Sequence, residues 1–160
     1  MSLYKLIFFI LLSVNLYSED SVSSINKLIN NNLIFFQSTD SGFDEINSKG
    51  RLIRNKDFIE ITIDSPTKEK YTLRDSIIEI YDYEFNQSQI IEINDDNSFL
   101  FDFLTNGIDA DEINNMNQKS FIVLKNDNQF FVNIISESSF SISYNDNMDF
   151  KNLIVFEVLK

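Results

Sequence analysis

The chain has 160 residues, a formal charge of -12, and no cysteine, histidine or tryptophan. That length suits one domain, and the missing cysteine and histidine remove disulfides, thiolate nucleophiles, the commonest general base and the usual zinc ligands. So acidic a chain repels phosphate backbones and anionic membrane surfaces, which argues against nucleic-acid binding and against a polybasic membrane anchor.

Met1 to Lys5 is a short, weakly positive lead, followed by the unbroken apolar run Leu6 to Leu12. The run is too short to cross a bilayer, which takes about 20 apolar residues. Ser18 supplies a small residue at a cut, and Glu19 and Asp20 begin a polar composition at once. Residues 1–18 therefore read as a cleaved export signal and residues 19–160 as one mature domain. No cysteine follows the apolar run, so the sequence offers no site for bacterial lipoprotein acylation.

Ser21 to Asn32 places Val22, Ile25, Leu28 and Ile29 on one face of a short amphipathic helix. From Leu33 onward the pattern changes to short β-branched and aromatic runs separated by Asn, Asp, Ser and Gly. Strands are predicted at Leu33–Ser38, Gly50–Arg54, Phe58–Asp64, Lys70–Arg74, Ile77–Tyr83, Gln89–Ile93, Ser120–Lys125, Gln129–Ser136, Phe140–Tyr144 and Asn152–Leu159. Such spacing predicts a mainly β protein, an antiparallel barrel or sandwich. Phe58–Asp64 alternates cleanly and should have one wet face. Gln129–Ser136 and Asn152–Leu159 are apolar on both sides, which predicts strands covered twice. Ser98 to Leu104, with Phe99, Leu100, Phe101 and Phe103 ahead of the Thr105-Asn106-Gly107 stop, predicts a short helix lying on the sheet or in its mouth.

Several segments, in this order, carry a resemblance: Phe35-Phe36-Gln37, Gly50-Arg51-Leu52, Arg54-Asn55-Lys56-Asp57-Phe58, Ser65-Pro66, and Tyr81-Asp82-Tyr83-Glu84-Phe85-Asn86-Gln87. They resemble the F-x-Q and G-x-L strands, the R-P-x-x-F turn, the following proline and the Y-D-x-x-x-x-Q hairpin of the LolA family of periplasmic lipoprotein carriers. Phe99 to Leu104 is similar to that family's helix after the hairpin, and Ile142-Ser143-Tyr144, Asp146 and Phe156 to its last strands. Asn55 stands where the family usually has proline, and the family's tryptophans are missing. The chain stops at Lys160, where the family usually continues through another F-x-F-x-x-P-x-G segment. The lipid-anchored receptor of the same fold, LolB, is a poorer match because its acylated cysteine is absent.

The resemblance implies a half-open antiparallel β-barrel closed by a helical lid, with a cavity that takes up lipoprotein acyl chains. It implies a monomeric periplasmic chaperone rather than an enzyme, loaded by the inner-membrane LolCDE transporter and unloaded to LolB, with no cofactor, metal or nucleic acid. Acyl chains need such shelter, since each methylene withdrawn from water is worth about 0.8 kcal/mol. The candidate cavity residues are Phe99, Leu100, Phe101, Phe103, Phe131, Ile135, Phe140 and Phe156. Arg54 takes the place of the family arginine that hydrogen-bonds the lid and is needed for handing lipoprotein on, with Arg51 and Lys56 as rivals if the register shifts. A guanidinium suits that job because its fork satisfies several helix-end carbonyls at once.

Other readings stay open. Asp109-Ala110-Asp111-Glu112 and Asn94-Asp95-Asp96-Asn97 have the composition of calcium loops but lack an EF-hand's glycine and twelfth-position glutamate, so solvated loops are expected. An enzyme built from this chain would need paired carboxylates, which nothing places on neighbouring inward positions. The same fold could serve as a periplasmic lipid-binding or envelope-stress-sensing module with a different ligand. A packed structural or adhesive β-domain would show strict one-face alternation in every strand.

Overall fold

The computed structural model describes residues 21–93, 99–117, 119–125, 128–146 and 148–160. The predicted export signal and the Asn94 to Asn97 loop lie outside the described residues, and of Phe99 only the backbone is described. Helix α1 covers residues 21–29. The strands up to the second helix are β1 Leu33–Asp40, β2 Glu45–Arg54, β3 Ile59–Ser65, β4 Glu69–Arg74, β5 Ile77–Asp82 and β6 Gln87–Glu92. Helix α2, Phe99–Asn106, and a single 3₁₀ turn, Ala110–Glu112, lead to β7 Ile113–Met116, β8 Ser120–Lys125, β9 Asn128–Ser136, β10 Ser139–Asn145 and β11 Lys151–Val158.

All eleven strands form one sheet in the order β6-β5-β4-β3-β2-β1-β11-β10-β9-β8-β7, with antiparallel pairing throughout. Two meanders meet where β1 pairs with β11, and β6 and β7 are the open edges. The architecture is thus a mainly β, open antiparallel sheet with two short helices among the described residues.

Alternation along each strand sorts side chains between two faces. Leu33, Phe35, Leu52, Ile59, Leu73, Ile78, Phe121, Val123, Phe130, Val132, Phe140, Ile142, Ile154 and Phe156 share the inner face and form one core with Ile25, Leu28 and Ile29 of α1 and Phe103 and Leu104 of α2. The register sets Phe35 opposite Phe156 and Phe156 opposite Phe140. Their rings follow suit: Phe140 stacks on Phe156 at 4.8 Å, Phe35 lies 6.2 Å from Phe156, and Phe103 of α2 meets Phe140 at 6.1 Å. Such cross-strand aromatic pairs stabilise a sheet beyond their buried area.

On the other flank of β1, Phe35 faces Gly50, and glycine is needed there. A Cβ on Gly50 would stand 2.1 Å from the Thr62 carbonyl oxygen and 2.6 Å from the Phe35 ring. Gly50→Ala is expected to destabilise the fold by about 1–3 kcal/mol through overpacking, read as a lower urea midpoint. An unchanged midpoint would show that Phe35 and β3 yield freely.

Two expectations need correction. β9 and β11 are not covered on both faces: Phe131 is 48% exposed, Ile135 47% and Leu153 45%. Their parity points them away from both helices, and among the described residues no second layer packs on that outer face. The chain also forms an eleventh strand, β7, whose Ile-Asn-Asn-Met sequence carries no alternation to announce it. It is an edge strand held by β8 alone, with a register shift between Ile113 and Asn115.

Candidate functional site

Between α2 and the middle of the sheet lies a cavity of about 190 Å³. Its floor comes from five neighbouring strands: Phe35 and Gln37 of β1, Leu52 of β2, Ile61 and Ile63 of β3, Tyr71 of β4, and Ile154 and Phe156 of β11. Leu100, Phe101 and Leu104 of α2 form its roof. The clean alternation of β3 explains why Ile61 and Ile63 face inward with Ile59.

Of the residues singled out from sequence, Leu100, Phe101 and Phe156 line this cavity. Phe103 and Phe140 are 1% and 0% exposed and belong to the packed core beside it. Phe131 and Ile135 sit on the outer face and do not belong to the cavity, because they alternate with the inward Phe130, Val132 and Ile134. Phe131 borders two grooves there, of about 400 and 480 Å³, which Asn133, Ser141, Ser143 and Asn145 help to line. Those grooves are larger, but their polar rims suit an apolar ligand less well than the cavity under α2 does. Phe35, Gln37, Leu52, Ile61, Ile63, Tyr71, Leu104 and Ile154 complete the lining without having been singled out. The inward parity of the one-sided strands was the available signal for most of them.

Arg54 ends β2 on the same face as Leu52 and Gly50. Its Nε donates to the Ile29 carbonyl oxygen at 2.8 Å, and its Nη2 donates to the Leu104 carbonyl oxygen. Both acceptors lie in the last turns of their helices, where carbonyls lack intrahelical partners. One guanidinium thereby joins the C-terminal ends of α1 and α2 to the sheet. Burial lowers its pKa below the ordinary guanidinium range. The Arg54 backbone N–H donates to Asn32 Oδ1 at 2.8 Å, which fixes where the strand ends. The rival Arg51 points elsewhere and lies 3.5 Å from Asp64 in an exposed pair, the kind of contact that contributes little to stability.

A second clasp holds α1 to the segment after α2. Asn26 Nδ2 donates to the Ile108 carbonyl at 2.9 Å, and the Ile108 N–H donates back to Asn26 Oδ1 at 2.9 Å. Gly107, with φ of +82°, both ends α2 and leaves room for this amide, since a Cβ there would stand 2.4 Å from Asn26 Oδ1. Nothing in the sequence pattern marked Asn26.

The acidic segment Asp109 to Glu112 folds as the 3₁₀ turn, in which Glu112 Oε2 accepts the Asp109 N–H at 3.4 Å. Among the described residues no three acidic side chains gather to hold a metal ion. No helix among them is long and apolar enough to cross a membrane.

The Tyr71 hydroxyl donates to Glu69 Oε2 at 2.6 Å. Burial, then this hydrogen bond, then the charges of Glu69 and Asp82 raise its pKa above the ordinary 10.0. Burial and Asp146 raise Tyr144 likewise. A folded state that holds these protons more tightly than the unfolded chain has stability fully present below about pH 10 and lost as pH climbs through the raised values. The urea midpoint is expected to fall above about pH 10, and to fall less steeply in Tyr71→Phe. Identical profiles for the two proteins would deny Tyr71 that part.

No protein-family model and no curated protein matches the chain. Among solved structures, a redesigned β-barrel is 7% identical with a TM-score of 0.37, over 85% of this chain and 96% of that one. A DUF1329 family protein from Desulfovibrio piger is 13% identical with a TM-score of 0.41, over 88% of this chain and 89% of that one. At such TM-scores neither likeness bears on function, and the reading of the site rests on its geometry.

Proposed function

We propose that the protein is a periplasmic carrier of lipoprotein acyl chains, in the manner of LolA, in which α2 is the lid of a half-open barrel and Arg54 its latch. The observation that carries this reading is the bridge from Arg54 to Ile29 and Leu104 at the edge of an apolar cavity roofed by α2. A cavity of about 190 Å³ is on the scale that accepts a six-carbon ring. A long acyl chain therefore requires α2 to move outward. Carbonyls at helix ends suit a latch, because water replaces the arginine there once it lets go.

On this reading residues 1–18 direct export, the mature chain works as a monomer without cofactor or enzymatic activity, and LolCDE and LolB are its donor and acceptor. The test is to purify the mature protein from a periplasmic extract and identify by mass spectrometry what co-elutes. Triacylated lipoproteins support the carrier. A free phospholipid or other single lipid would replace it with a lipid-binding or envelope-stress-sensing module, a reading favoured by the small size of the cavity and by Asn55 in place of the turn proline. An empty protein that also refuses added lipopeptide would leave only a packed structural domain.

A further inference from the structure

The outer face of the sheet carries an ordered pattern where β8, β9, β10 and β11 run side by side. Their register aligns Ile122, Phe131, Ser143 and Leu153 in one row across the four strands. On one side of that row Ser120, Asn133 and Ser141 line up across β8, β9 and β10, and on the other side stand Gln129, Asn145 and Lys151. Strand rise sets each polar row about 7 Å from the Phe131 row. Because β10 presents only the small Ser141 and Ser143 beside it, the half-exposed Phe131 ring forms a ridge between two grooves. The groove on the Asn133 side is about 400 Å³ and that on the Gln129 side about 480 Å³. Polar groups are free to meet a ligand there. Ser120 Oγ takes up one end of the Asn133 amide at 2.8 Å, while the other end and the half-buried Ser141 and Ser143 hydroxyls have no partner among the described residues.

An aromatic ring flanked on both sides by hydroxyls and amides is the complement of a pyranose, which has an apolar C–H face and a periphery of hydroxyls. The negative face of the ring attracts those C–H groups, and the amides and hydroxyls bond the periphery. We infer that this outer face binds a neutral oligosaccharide, with one sugar ring stacked on Phe131. Its hydroxyls meet Asn133, Ser141 and Ser143 in one groove and Gln129 and Asn145 in the other. Other occupants fit less well. An apolar ligand would strip water from these polar groups without replacing it. The core of a protein interface is poor in serine, which here forms the floor beside the ring. A polyanion is opposed by the formal charge of -12. Each groove falls within the range of about 300–1,000 Å³ typical of small-molecule sites. The site lies on the face turned away from α1 and α2, so it stands or falls independently of the cavity under α2.

The test titrates isotope-labelled mature protein with cellohexaose and with its N-acetylglucosamine counterpart, chitohexaose, and follows backbone amide shifts by NMR. A short uncharged peptide rich in serine and glutamine serves as the contrast. At least one sugar is expected to shift the amides around Phe131, Ser141 and Ser143 saturably and to leave those of α2 unmoved. Phe131→Ala should weaken that binding about tenfold while the melting temperature stays nearly unchanged, and Phe131→Tyr should preserve it. Phe36→Ala, which removes another half-exposed ring of the outer face, should leave it as it is. Sugars that shift none of these amides, shifts centred on α2, or undiminished binding by Phe131→Ala would each overturn the inference. Saturable binding of the peptide alone would overturn it in favour of a protein partner. Should Phe131→Ala fail to fold, the shift map of the wild-type protein still decides.

Discussion

Arg54→Leu is expected to leave the sheet folded and to raise affinity for an apolar ligand about tenfold while slowing its release to an acceptor. In the closed protein the guanidinium holds α2 through Leu104 and α1 through Ile29. Those bonds must break before α2 moves, so part of the ligand's binding energy is spent on opening. Hydrogen bonds involving a charged group are worth about 1.5–3 kcal/mol each, reduced here because Arg54 is partly desolvated and the freed carbonyls regain water. A net closing energy of about 1–2 kcal/mol corresponds to a five- to thirtyfold shift toward the open form. Leucine removes it, so ligand is taken up more readily and leaves less readily. The melting temperature should drop by only about 3–6 °C. Arg54→Lys should behave nearly as badly, since a point charge on a flexible stem does not serve two carbonyls with a fixed fork. Dye affinity and lipoprotein handover both equal to wild type would remove Arg54 from the mechanism.

Phe140→Ala is expected to cost about 3–5 kcal/mol of stability, a large share of what holds a domain of this size together. Phe140 is fully buried, stacks on Phe156 and touches Phe103 of α2, so its loss leaves a void between sheet and helix. Phe101 is the counterpart on the cavity side, only partly buried and lining the ligand space. Phe101→Asp should weaken dye binding by tenfold or more, because a carboxylate placed in the roof must be desolvated by any apolar ligand. Its melting temperature should fall far less than that of Phe140→Ala. Thermal unfolding and dye titration of the two variants check this together. A collapse of Phe101→Asp alongside tight binding by Phe140→Ala would reverse the roles.

The sheet was largely legible because its signal is local. Strands such as Ile59–Ser65 carry period-two alternation, and their Asn-, Asp- and Gly-containing turns punctuate them. What failed was the inference from apolarity on both sides to coverage on both sides. Phe131 and Ile135 are as apolar as core residues yet remain half exposed, since whether a second layer lies over them is a tertiary fact. The cavity was legible only in part for the same reason. Phe101 and Phe103 are two residues apart on one short helix, and which of them meets the cavity and which meets Phe140 depends on how α2 is rotated against the sheet. Arg54 was found through its place in a resembling turn, while its partners Ile29 and Leu104 are backbone groups that no side-chain pattern could announce. Asn26, which ties α1 to the segment after α2, looks in sequence like an ordinary member of an asparagine-rich chain.

Titration of the mature protein with a synthetic triacylated lipopeptide, followed by displacement of a preloaded apolar dye, asks directly whether α2 opens over an acyl-binding cavity. A carrier should bind the lipopeptide saturably at one per protein, with tighter binding by Arg54→Leu and weaker binding by Phe101→Asp, both variants remaining folded. A folded wild-type protein that takes up neither dye nor lipopeptide would contradict the carrier reading outright.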